Sequence, residues 1–116
     1  MEMIVQRLKK ENEDSQQLAE RYYEILSSLN SLSLTKREIQ LVAYTAIHGN
    51  ISYPHLKEEF CIRYKTSIQT IYNMVSRLMK LKVMVKNNGN IKVNPVLVLK
   101  FDETIVMQIS LIYGIR

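Results

Sequence analysis

Glycine is nearly absent from this chain. Only Gly49, Gly89 and Gly114 occur among 116 residues, too scattered to form a glycine-rich loop that cradles a phosphate. Cysteine is scarcer still, and the lone Cys61 excludes an internal disulfide and a cysteine-rich zinc cluster. That predicts a reducing, cytoplasmic setting. The two histidines, His48 and His55, lie on either side of a helix break, and no aspartate falls between Asp14 and Asp102. A metal centre or a Ser/His/Asp set is therefore not expected, and neither is an enzyme, a cofactor or a small-molecule substrate. The opening "MEMIVQRLKKENEDSQQ" has no apolar block followed by a small-residue cleavage site, so no signal peptide is expected. The most apolar stretch, residues 96 to 113, is broken by Lys100, Asp102 and Glu103, so no membrane crossing is expected.

The absence that says most is of acid. Residues 60 to 100 contain Arg63, Lys65, Arg77, Lys80, Lys82, Lys86, Lys92 and Lys100 and no aspartate or glutamate, in a chain whose net charge is +5. Residues 1 to 30 are net acidic and residues 31 to 59 are balanced, so the excess positive charge occupies one contiguous third. A field of that kind suits a polyanion, because neutralising phosphates releases counterions. It also describes a solvated basic surface.

What is present is patterned for a single domain, with 47% hydrophobic residues to build a core. Residues 1 to 30 carry Ile4, Leu8, Leu18, Tyr22, Ile25 and Leu29 at steps that fit a long amphipathic helix if Glu11 and Ser15 fill the gaps. Such a helix, about 40 Å long, packs within the domain or against a second subunit. In "LTKREI", Thr35 and Glu38 are spaced as a capping box, and Leu34 and Ile39 as a hydrophobic staple. A helix is expected from Lys36, burying Ile39, Val42, Ala43, Ala46 and Ile47 and ending at Gly49-Asn50, with His48 at its C-terminus. Ile51 reads as a short extended piece. Pro54 opens a helix over residues 54 to 63 that buries Leu56 and Phe60, with Cys61 or Ile62 adding to the core.

The next stretch, "TSIQTIYNMVSRLMKLK", has Thr66 and Gln69 spaced as a second capping box. Its inner stripe is Ile68, Ile71, Val75 and Leu78; its outer face is Gln69, Thr70, Asn73, Ser76, Arg77 and Lys80. Those outer types suit base edges and phosphates: Gln and Asn bond adenine, Thr offers a hydroxyl and a methyl, Arg grips guanine or phosphate. Two alternating runs, residues 83 to 86 and 91 to 94, flank Asn88-Gly89, the favoured dipeptide of a type I′ hairpin turn. Residues 95 to 101 fit a short helix capped by Asn94 with Pro95 at N1, or an extended segment. "ETIVMQISLIY" alternates in part and is read as a strand that joins the hairpin sheet or pairs with another chain.

The order helix, short strand, helix, helix, hairpin over residues 34 to 95 resembles the winged helix-turn-helix fold of bacterial, plasmid and phage regulators and replication initiators. The stretches that carry the likeness are "LTKREIQLVAYTAIHGNIS", "TSIQTIYNMVSRLMKLKVMVKNN" and "GNIKVNP". The fold class expected is thus mainly α with a small β hairpin, flanked by the helix of residues 1 to 30 and an apolar segment over 96 to 116. The resemblance implies a third helix in the major groove and a wing on the backbone or minor groove. It puts Gln69, Thr70, Asn73 and Arg77 at base edges, with Lys80, Lys86, Asn88 and Lys92 near phosphates. Lys65, Ser76 and Lys82 complete the candidate nucleic-acid-binding set. The turn "CIRYKTS" departs from the family by lacking the small residue many members have. Two functions follow as expectations. One is a regulator or replication factor that binds duplex DNA as a dimer. The other is an assembly component, for instance of a phage particle, that reuses the module for protein contacts.

Overall fold

The structure, a computed structural model, describes residues 2–8, 15–98 and 105–111, the first and last of these as paired backbone. The elements are β1 (Glu2–Leu8), α1 (Ser15–Leu29), α2 (Lys36–His48), α3 (Pro54–Tyr64), α4 (Ile68–Lys80), β2 (Met84–Asn87), β3 (Asn90–Val93), a 3₁₀ turn (Pro95–Leu97) and β4 (Ile105–Leu111). The fold is mainly helical with a small antiparallel hairpin, in the α+β class.

Local signals set most of the helix ends. Thr35 Oγ1 accepts the Glu38 N–H at 3.1 Å while Glu38 Oε1 accepts the Thr35 N–H at 2.8 Å, so both halves of the capping box form. Gly49 closes α2 in the left-handed region, at φ 90°. The other helix ends make the same turn without glycine. Ser31 (φ 53°), Lys65 (φ 52°) and Lys82 (φ 66°) follow α1, α3 and α4. Leu32, Thr66 and Val83 then donate their N–H groups back to the carbonyls of Ser27, Cys61 and Leu78.

Thr66 is therefore not the N-cap of α4. Its N–H belongs to the end of α3, and the helix begins one residue later, with Ser67 Oγ accepting the Thr70 N–H at 3.2 Å. The second capping box does not form. Asn94 caps the 3₁₀ turn by accepting the Val96 N–H, and residues 99 to 101 lie outside the described residues.

One core joins α1 to the hairpin. The middle of α2, Leu41 through Tyr44, is buried on all sides, with Leu18, Ala19 and Tyr23 of α1 packing into the same core. Leu56 and Phe60 of α3, Ile71, Met74, Val75 and Leu78 of α4, and Ile51, Val83, Met84 and Val93 complete it. Ile47 and Ile68 are exposed rather than buried, and Ile62 is 81% exposed, because each lies beyond the arc its helix turns to its neighbours. Cys61 is partly buried against the core. The hairpin is tied to the segment before α3: Ile51 N–H donates to Ile91 O at 3.0 Å, and Ile91 N–H to Ser52 Oγ at 2.8 Å. Asn88 and Gly89 take positive φ at its tip, as the dipeptide required.

The ends of the chain depart most from expectation. The expected helix over residues 1 to 30 is a strand, β1, and a shorter helix, α1. "EMIVQRL" contains the β-branched pair Ile4-Val5 and finds a partner strand, while acidic "ENED" interrupts the helical stripe. That partner is β4. It does not join the hairpin sheet but runs antiparallel to β1, Glu2 opposite Leu111 and Leu8 opposite Ile105.

Two buried tyrosines and the half-buried Tyr64 hold the helices together through their hydroxyls. Tyr23 donates to Leu97 O at 2.7 Å, Tyr44 to Glu59 Oε1 at 2.6 Å and Tyr64 to Glu20 Oε2 at 3.1 Å. Burial raises all three phenols well above the ordinary range; for Tyr64, with the Glu20 carboxylate adding, the value reaches about 12. A raised folded-state value favours the protonated form, so this stability is complete below pH 10 and is lost as pH rises through 12. Urea unfolding midpoints should fall between pH 10 and 12, and Tyr64→Phe should flatten that fall.

Candidate nucleic-acid interface

The face of α4 opposite its buried stripe is a straight line of polar side chains. Ile71, Met74, Val75 and Leu78 fix the inner direction; at 100° per residue the opposite direction falls on Gln69, Asn73, Ser76 and Lys80, all exposed. Gln69 Nε2 donates to Asn73 Oδ1 at 3.1 Å, which pairs two amides side by side on the surface. An exposed amide pair of this kind exchanges readily for other partners, because its net worth in water is small. Thr70 sits on the α2 side of this line, half-buried, its hydroxyl bonded to Ser67.

Arg77 departs from the part expected of it. Its guanidinium turns back to Glu38 in an ion pair and reaches Leu32 O and Ser33 O at 3.4 Å each. Glu38 is buried and Arg77 is half-exposed, so the pair joins α4, the first turn of α2 and the loop before it. Arg77 is thus engaged by the fold, while Gln69, Asn73, Ser76 and Lys80 are not. Sequence spacing placed Arg77 outside because it saw only the α4 axis. The acid that draws it inward lies 39 residues away.

The hairpin divides its lysines. Lys86 is opposite Ile91 and Lys92 opposite Val85, so alternation sends the two side chains to opposite faces. Lys92 is half-buried and lines a groove of about 390 Å³ with Thr45, Ala46, Gly49, Val93, Pro95 and Val98, on the α2 side. Lys86 and Asn88 are exposed toward the tip. Lys65 and Lys82 stand exposed at the two ends of α4.

Two residues outside the candidate nucleic-acid-binding set, Tyr72 and Lys57, border the α4 line. Tyr72 is 50% exposed, and the Lys57 ammonium of α3 sits 5.2 Å from its ring centre while donating to Ser52 O. Nearby in sequence, Tyr53 stacks on His55 at 5.9 Å. The available signal was angular: Tyr72 lies 100° from Ile71, on the edge between inner and outer faces. Among the described residues no group of three or more His, Cys, Asp or Glu is placed to hold a metal, and no helix is long and apolar enough to cross a membrane.

No family model, curated protein or solved structure matches the chain.

Removing the Arg77 guanidinium leaves the buried Glu38 carboxylate without its cation. Arg77→Met should cost about 2 kcal/mol in urea unfolding, reduced from a fully buried pair by the exposure of Arg77. Adding Glu38→Gln should recover part of that loss, and simple additivity of the two substitutions would refute the coupling.

Proposed function

We propose that the protein binds duplex DNA through α4 and the β2–β3 hairpin in the manner of a winged helix-turn-helix, as a small regulator or replication-associated factor acting as a dimer. The observation that carries this reading is the outward line of α4. Gln69, Asn73, Ser76 and Lys80 are polar, exposed, free of acid and not used to hold the fold, on a helix that leads into a hairpin bearing Lys86 and Asn88. The order of elements and the Ile51–Ile91 bond at the base of the hairpin support it further. In this reading Gln69 and Asn73 exchange their mutual hydrogen bond for bidentate bonds to base edges, and Ser76 adds a contact to either. Lys80 and Lys86 neutralise phosphates. Arg77 holds α4 in position rather than reading a base, and Lys92 acts on the other face of the hairpin.

A second reading, an assembly component, draws on the β1–β4 ribbon. The ribbon pairs Glu2–Leu8 with Ile105–Leu111 as a two-stranded sheet, and two strands alone are marginal in water. Such a ribbon suits self-association, which both readings accommodate. The wing lysines separate them, because assembly through the ribbon does not need Lys86.

Binding to duplexes of random and selected sequence, followed across salt concentrations, tests the proposal. Log affinity should fall linearly with log salt. Asn73→Ala should relax sequence preference by about 1–3 kcal/mol at one position, and Lys86→Ala should weaken all sequences alike and reduce the slope by about 0.9. Absence of duplex binding even at low salt would overturn it, and a defined oligomer that persists in Lys86→Ala without DNA binding would favour assembly.

A further inference from the structure

Lys65 and Lys82 share a combination that the fold does not ask for. Each occupies the left-handed turn that closes a helix, at φ 52° and 66°, a position glycine fills without strain and does fill after α2, as Gly49. Any residue that carries a Cβ bears a local cost there, and such residues persist where the surroundings hold them and a function retains them. Lys82 is held at both sides: its N–H donates to Met79 O at 3.1 Å and its carbonyl accepts from Asn94 Nδ2 at 3.1 Å. Lys65 donates its N–H to Cys61 O, and the next N–H, of Thr66, goes to the same carbonyl at 3.1 Å. Both side chains are exposed, and neither ammonium has a hydrogen-bond or ion-pair partner among the described residues. Nothing in the packing of the core calls for lysine at either place.

The two positions bracket α4. The helix has 13 residues, about 20 Å at 1.5 Å per residue. The major groove is about 12 Å wide, so a helix of that length that crosses it is long enough to reach both phosphate ridges. We propose that Lys65 and Lys82 form a two-point clamp, one at each end of α4, on phosphates of the two opposite strands of a duplex. The inference rests on the duplex-binding reading and adds a selectivity to it. A single strand has only one ridge, so it engages one lysine at a time, and the clamp favours duplex over single-stranded nucleic acid. The backbone strain fixes where each lysine leaves the chain, which reduces the freedom lost on engaging a phosphate.

The test compares three glycine substitutions in the full chain at left-handed positions: Lys65→Gly, Lys82→Gly and, as control, Ser31→Gly, which relieves the same geometry at the end of α1. Urea midpoints and binding to a random-sequence duplex and to one of its strands are measured at several salt concentrations. All three variants should have raised midpoints. Ser31→Gly should bind as the unaltered protein does. Each lysine variant should bind duplex about eightfold more weakly at 0.1 M salt, with a salt slope lower by about 0.9, and should lose less for the single strand. Lys82→Asn, which tolerates the left-handed turn without a charge, should lose the same amount as Lys82→Gly.

Lysine variants that bind duplex as Ser31→Gly does would overturn the clamp and leave the duplex reading standing. So would equal proportional losses for duplex and single strand, or lowered midpoints in the lysine variants alone. An unaltered protein that binds no duplex would overturn the underlying reading, and the clamp with it.

Discussion

One carboxylate oxygen, Glu38 Oε1, holds two parts of the structure at once. It accepts the Thr35 N–H that begins α2 and receives the Arg77 guanidinium from α4, whose other nitrogen reaches the carbonyls of the preceding loop. The start of one helix and the rotation of another are thereby coupled through a buried charge, and the cost of burying it is offset only while both partners remain. The outward line of α4 owes its direction to this pair as much as to the apolar stripe beneath it. Apolar packing sets which side of a helix is inside; it tolerates some rotation, whereas a guanidinium bonded to three acceptors does not.

The parts of the fold that were legible in the sequence are those whose physics is local. Thr35 and Glu38 need only each other and three residues of spacing, and Asn88-Gly89 needs only its own positive φ. Both formed as read. The α4 stripe was legible at Ile71, Val75 and Leu78, since these face the core over two full turns. The misread positions depend on something distant or on competition. Thr66 loses its cap because α3 takes its N–H, and Ile47 is exposed because it lies beyond the arc that α2 turns to its neighbours. Arg77 turns to an acid on another helix. The β1 strand was missed for the same reason, because its partner is far away in the chain and nothing in residues 2 to 8 alone distinguishes a strand from two turns of an amphipathic helix.

The candidate interface shows the same division. Charge and residue type pointed to α4, but which of its side chains are available depends on the fold around it. Arg77 is engaged, Thr70 is half-buried and Lys92 belongs to the α2 side of the hairpin, while Tyr72 and Lys57 enter from an edge that periodicity treats as neither face. What remains free is a narrower set, Gln69, Asn73, Ser76 and Lys80, with a lysine at each end of the helix.

The register of the terminal ribbon bears on how the chain reaches this state. Glu2 meets Leu111 only after nearly the whole sequence has been brought round, whereas α1 through the hairpin joins elements that are close neighbours in the chain. Closing the larger loop is entropically more demanding and yields only a two-stranded sheet in return. Loop-closure entropy therefore favours condensation of the helices and hairpin before the ribbon pairs. The favoured order follows sequence separation rather than direction of synthesis, with the outermost residues last to find each other.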